Sequence, residues 1–249
     1  MPRFALGVPE LCEDIARNRE ALRRLTREAA EQGAALVLFP EAAATMLANE
    51  DDPARDLPLG EPIPGGETLR MLAEEARRGH IWIGVGLFER AGEALYDSAV
   101  LLDAEGEIAL HYRRITPGWH GRRADPRIYR EGDALPVAET PWGRAAFLIC
   151  GDLFDEALTL RAAALKPDLL LYPFARAFPP GVELAVGWAE ERLAYAEAAA
   201  SVGALTLMSN YLGCDETFGG AMVVSPTGEI LAELPPGRAG LLLFDLPDA

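Results

Sequence analysis

The segment Ala35-Leu36-Val37-Leu38-Phe39 is apolar at every position. A strand with one wet face alternates apolar and polar residues; an unbroken run needs cover on both faces. The chain therefore has to place at least one sheet between other layers, and that requires a layered α/β architecture. Neighbouring patterns agree. Phe4–Val8, Ile81–Leu87, Arg144–Ile149, Asp168–Tyr172, Leu205–Met208 and Leu241–Phe244 read as further strands. Between them, Glu13–Gln32 carries Ile15, Leu22, Leu25 and Ala29 on one helical stripe, with Gly33 closing it. Thr68–Arg78, Asp155–Leu165 and Val182–Val202 are the other expected helices.

The βα alternation is interrupted. Ala99–Leu102 and Glu107–Tyr112 flank Asp103-Ala104-Glu105-Gly106, and Ala221–Val224 and Glu229–Glu233 flank Ser225-Pro226-Thr227-Gly228. Both read as hairpins. A purely parallel doubly wound sheet has no place for them. Two mixed sheets packed face to face with helices outside fit better, although pattern alone leaves a flavodoxin-like sheet open. A long polar loop is expected from Arg113 to about Ala134.

The length of 249 residues, half of them hydrophobic, suits one sizeable core, and residues 1–249 are read as one domain. The formal charge of −16 opposes nucleic acid or an anionic membrane surface as partner. No apolar run reaches the ~18 residues of a membrane span, and the N-terminus has no apolar leader core. Three cysteines, Cys12, Cys150 and Cys214, are too sparse for a disulfide framework and suggest a reducing, cytoplasmic setting. His80, His111 and His120 show no metal-ligand spacing, so neither metal nor cofactor is expected.

Three chemically loaded residues stand at strand ends: Glu41 after Leu36–Pro40, Arg114 after Ile108–Arg113, and Cys150 after Ala145–Ile149. Strand ends are where rigid sheet meets open loop, and catalytic groups collect there. Singly, each has an ordinary explanation as a buried thiol, a turn carboxylate or a solvated arginine. Together they supply a nucleophile, a base and an electrostatic donor, the three parts of acyl transfer.

The same residues carry a resemblance. Phe39-Pro40-Glu41, Tyr112-Arg113-Arg114 and Leu148-Ile149-Cys150-Gly151-Asp152, in that order, resemble the three signatures of the nitrilase superfamily of carbon–nitrogen hydrolases. Gly33–Glu41, and Asn210 with Phe218-Gly219-Gly220 and Ser225–Glu233, extend it over nearly the whole chain. The resemblance implies an αββα sandwich of two mixed sheets flanked by helices. It implies a homodimer, forming four layers on four, and a small-molecule amide or carbamoyl substrate. Cys150 would be nucleophile and Glu41 its acid–base partner, with Gly151, Tyr112 and Phe174 binding substrate or oxyanion. Asp125-Pro126-Arg127-Ile128-Tyr129 is similar to the segment of the amidase, carbamoylase and glutaminase-domain branches that carries a second glutamate. Here that position is Asp125, expected within ion-pair reach of Arg114.

One departure matters. The family's catalytic lysine falls at Arg114, and the only lysine, Lys166, precedes Pro167 at an expected helix-to-strand turn. Arginine keeps the charge and the donors but is effectively never deprotonated. It can replace lysine electrostatically and cannot replace it in proton transfer. Two readings follow: an amide or carbamoyl hydrolase working through a thioester, and a non-catalytic relative that binds a ligand or partner in the same pocket. Arg122, Arg123 and Arg176 are further candidates for holding a substrate carboxylate.

Overall fold

The computed structural model describes residues 1–246. The first half of the chain forms β1 (Arg3–Val8), β2 (Glu10–Leu11), α1 (Ile15–Glu31), β3 (Ala34–Leu38), the short α2 (Pro53–Asp56), α3 (Glu67–Gly79), β4 (Trp82–Ala91), β5 (Ala94–Leu102) and β6 (Ile108–Arg113). The second half forms β7 (Val137–Thr140), β8 (Gly143–Phe147), α4 (Glu156–Ala164), β9 (Leu169–Pro173), α5 (Leu184–Ala200), β10 (Leu205–Ser209), β11 (Leu212–Gly213), β12 (Ala221–Val224), β13 (Ile230–Leu234) and β14 (Gly240–Asp245).

Two six-stranded mixed sheets result, in the orders β14-β1-β3-β4-β5-β6 and β13-β12-β10-β9-β8-β7. The apolar runs are explained by what each face touches. Leu36 and Leu38 point into the core between the sheets, with Phe4, Leu101, Phe147, Leu171 and Val223, while Val37 and Phe39 point outward onto α1 and α3. In the second sheet Leu169 and Leu171 face inward, and Leu170 and Tyr172 face α4 and α5. Both faces of each central strand are covered, as an αββα sandwich demands. A flavodoxin-like single sheet is excluded.

The local signals behave as their chemistry predicts. Asp14 caps α1 by accepting from the backbone N–H groups of Ala16 and Arg17, and Gly33 takes φ +77° just beyond the helix. At the end of α3 the left-handed residue is His80 rather than Gly79. Gly79 serves packing instead, since a Cβ there would meet the Cβ of Ala30 on α1 at 2.9 Å. Both expected hairpins form.

Three elements differ from the sequence reading. β4 and β5 run on to a tight turn at Gly92-Glu93, so β5 begins at Ala94 and not Ala99. β7 pairs with β8 although its residues alternate weakly. The polar loop between β6 and β7 is anchored by buried Trp119 and Tyr129, which pack with Phe88 and Leu95.

Candidate active site

Glu41 emerges from β3 through Phe39-Pro40, and β4 fixes its backbone. Phe39 donates to the carbonyl of Gly84, and the N–H groups of Gly86 and Ala43 bond to the carbonyls of Pro40 and Gly86. The approach is so close that a Cβ on Gly86 would stand 2.6 Å from the Cα of Glu41. Only glycine fits at that position. The carboxyl is fully buried.

Arg114 lies one residue past β6 and continues its ladder, its N–H donating to the carbonyl of Asp97 on β5 at 2.8 Å. The side chain runs inward on the same face as Tyr112 and Leu110, which the two-residue period of a strand requires. Nη1 donates to Glu41 Oε1 at 2.9 Å and reaches Asp97 Oδ2 at 3.4 Å, while Nε approaches Thr116 Oγ1 at 3.3 Å. Nη2 makes no hydrogen bond among the described residues and lies against Gly151, where a Cβ would stand 2.6 Å away.

Cys150 opens the turn after β8 with φ +47°, a left-handed conformation that a non-glycine residue adopts only under constraint. The constraint is visible. Tyr172 donates its hydroxyl to the Cys150 carbonyl at 2.6 Å. Asp152, fully buried, accepts from the Ile149 N–H at 3.0 Å and from the Tyr112 hydroxyl at 2.6 Å with one oxygen. Its other oxygen accepts from the Thr116 N–H and hydroxyl, both at 2.8 Å, and from the Ile115 N–H at 3.3 Å. One carboxylate thus ties the cysteine turn to the loop that carries Arg114. The half-buried thiol sits 3.8 Å from the Ala175 carbonyl and packs against a cluster containing Tyr172, Phe174 and Tyr195.

The electrostatics follow from burial. The Glu41 carboxyl is raised from 4.5 to about 8: burial raises it most, Cys150 adds to the rise, and Arg114 opposes both. Asp97 is also fully buried and is pushed well above the carboxylate range, first by desolvation and then by Glu41. Arg114 is held charged: burial works against it, and Glu41, Cys150, Asp97 and Asp152 outweigh burial. A thiol, a carboxyl able to exchange protons near neutral pH, and a permanent cation therefore share one water-poor site.

The sequence profile of the carbon–nitrogen hydrolases matches residues 5–248. The chain belongs to that family. Human deaminated glutathione amidase is 30% identical over 255 residues, spanning 95% of this chain and 74% of that protein. N-carbamoylputrescine amidase of Solanum lycopersicum is 28% identical, spanning 94% and 83%. Among solved structures, an amidase from Nesterenkonia sp. AN1 superposes with a TM-score of 0.81 at 25% identity, over 100% of this chain and 94% of that one. The fold is that of nitrilase-superfamily amidases, and the relatives are amidase-type carbon–nitrogen hydrolases.

For this carbon–nitrogen hydrolase, Glu41, Arg114 and Cys150, each at a strand end, converge on one site. Asp125 does not join them. Its carboxylate is bidentate to Arg127, with contacts of 2.6–3.2 Å, and accepts from the Arg127 N–H at 2.9 Å. It caps the turn after Ala124, and the carboxyl beside Arg114 is Asp97 instead. Tyr112 is buried with its hydroxyl committed to Asp152, so it positions the turn rather than lining the pocket. Phe174 is buried and stacks on Tyr172 with ring centroids 5.4 Å apart, and its centroid lies 5.2 Å from that of Tyr195. Arg176 is paired with Glu191, and Arg122 and Arg123 are exposed on their loop. Lys166 lies just past the end of α4, in the turn before β9, with φ +51°. Among the described residues no group of three or more His, Cys, Asp or Glu side chains is placed to hold a metal ion. No described helix is long and apolar enough to cross a membrane.

Asp97 is the residue the sequence reading missed. Its signal was present: in Ala94-Leu95-Tyr96-Asp97-Ser98-Ala99-Val100-Leu101, Asp97 shares the parity of Ala99 and Leu101, which face the inter-sheet core. A carboxylate on the inward parity of an apolar strand marks a site. Starting the strand at Ala99 hid it.

Proposed function

We propose that this chain hydrolyses small amides or carbamoyl compounds through a thioester on Cys150. The observation that carries the reading is the buried Glu41–Arg114 pair, closed at 2.9 Å, against the turn that begins at Cys150. Sγ attacks the substrate carbonyl as its proton passes to Glu41. The carbonyl becomes an oxyanion, and Glu41 returns the proton to the leaving nitrogen, so ammonia or an amine departs and the thioester remains. Water then attacks the thioester, giving its proton to Glu41; the carboxylic or carbamic acid leaves and the proton returns to sulfur.

Arg114 takes no proton in this scheme. Its free Nη2 and the N–H of Gly151 are the oxyanion donors, a role that needs charge and hydrogen-bond donors and no proton transfer from the guanidinium. A bacterial amidase of the same fold has been captured with the acetamide moiety of fluoroacetamide on its active-site cysteine, which supports the assignment of Cys150. The test is ammonia release from a broad panel of amides and carbamoyl compounds, comparing wild type with Cys150→Ala. Turnover by wild type alone supports hydrolysis. Absence of turnover from a folded wild type across the panel overturns it in favour of a binding relative.

Pairing of two copies belongs to the same reading. Phe154, Leu160, Val186 and Leu193 are exposed on and around α4 and α5, and a second copy seated there would cover them. Sedimentation velocity is expected to give a dimer, and Leu160→Glu with Leu193→Glu a monomer; a monomeric wild type rules the pairing out.

A further inference from the structure

Glu41 and Asp97 place two carboxyl groups against one guanidinium. Arg114 Nη1 touches Glu41 Oε1 at 2.9 Å and Asp97 Oδ2 at 3.4 Å, and both carboxyls are fully buried. The remaining oxygens, Glu41 Oε2 and Asp97 Oδ1, are buried with no donor from any other described residue, while the two side chains lie within hydrogen-bonding reach of each other. If both were ionised, one cation would face two anions, with the Asp152 carboxyl adding negative charge nearby. Two like charges in contact out of water cannot both persist, and the usual resolution is one proton held between them.

We infer that Asp97 is a positioning residue held as a neutral carboxylic acid, which donates its hydrogen bond to the Glu41 carboxylate. Geometry decides which partner keeps the proton. Glu41 already accepts the shorter bond from Arg114, which favours its anion. Asp97 has the longer contact and no other donor of its own. Burial likewise raises Asp97 well beyond its ordinary value, and Glu41 raises it further. The groups that face Asp97 are Glu41 from β3, Arg114 from the end of β6 and Asp152 from the cysteine turn, so a single cation opposes all of the acidic groups. With the proton on Asp97, the Glu41–Asp97–Arg114 cluster is electrically neutral. Glu41 is also oriented from both sides, by a guanidinium on one oxygen and an acid on the other.

The inference rests on Glu41 being the acid–base group, but its primary test does not need activity. Infrared spectra of the wild-type protein labelled with carboxyl-13C aspartate are recorded at about pH 9, where Glu41, raised to about 8, is mostly ionised. A carboxylic-acid carbonyl band with the isotope shift of an aspartyl side chain is expected, and it should be missing from Asp97→Asn. A wild-type spectrum without that band overturns the inference, whether or not the protein turns over amides. Where turnover is measurable, Asp97→Asn should keep kcat/KM within roughly tenfold of wild type, because a carboxamide still donates to Glu41. Asp97→Ala should lose roughly a hundredfold and move the Glu41 limb of the pH profile upward. Equal losses in both variants, with an unmoved limb, would instead make Asp97 an ionised partner of Arg114.

Discussion

Nη2 of Arg114 lies 2.6 Å from where a Cβ on Gly151 would stand. The larger head group at position 114 and the missing side chain at position 151 are therefore one structural arrangement. Arg114 is held by Glu41, Asp97 and Thr116 and is almost fully buried, so it cannot swing aside cheaply. Gly151→Ala should displace the guanidinium and lower kcat/KM by roughly a hundredfold, the scale of losing one oxyanion donor. Arg114→Lys alone should also lower it, because the ammonium cannot span Glu41 and Gly151 together. In the double variant the alanine should cost far less, giving a coupling of about 1 kcal/mol or more in a double-mutant cycle. Strictly additive effects would show that the two positions are independent.

Glu41 sets the pH dependence. As a base it works unprotonated, and burial raises its carboxyl to about 8. A raised value means that the active fraction is small at low pH and grows as pH rises. The profile of kcat/KM should climb with pH and level off above about 8, and Glu41→Gln should abolish the activity rather than shift the limb. A limb in the ordinary carboxylate range, near 4.5, would contradict the burial argument.

Asp152 is predicted to be a stability residue. It accepts from Ile149, Tyr112, Ile115 and Thr116 with no exposure to solvent. Asp152→Ala leaves those donors buried and unpaired, and should cost about 3 kcal/mol or more in denaturant unfolding. It should also release the strained φ of Cys150 and slow alkylation of that thiol by iodoacetamide, read by peptide mass spectrometry against Cys12 and Cys214.

A second buried carboxylate, Glu89, tests the electrostatics away from the site. Burial raises it, but hydrogen bonds from Arg113, His111 and Ser98 outweigh burial and bring it down to about 2. A lowered carboxylate stabilises the folded state above its unfolded value of 4.5, and that contribution is lost as pH falls through about 2. Denaturant midpoints should therefore fall between those limits in wild type, and fall less steeply in Glu89→Gln.

The legible part of this protein was whatever depends on local pattern. Leu36–Phe39 and Leu169–Tyr172 announced strands covered on both faces, and Gly33, Gly106 and Gly228 announced the turns where φ is positive. Glu41, Arg114 and Cys150 were legible because each ends a strand. What depends on cross-strand distance was not. Asp97 meets Arg114 through the β5–β6 register, in which Ser98 lies opposite Arg113, and sequence does not print a register. Asp125 was misplaced for the complementary reason: it lies close in sequence to the signature, yet Arg127, two residues on, satisfies its carboxylate.

The central claim is that Cys150 carries the acyl group and that Arg114 stabilises its formation. Acid quench during steady turnover of an amide substrate, followed by peptide mass spectrometry, tests it directly. The account predicts the acyl mass on the Cys150 peptide of wild type, and its strong depletion in Arg114→Ala. Turnover that never labels Cys150, or labelling undiminished in Arg114→Ala, would contradict it.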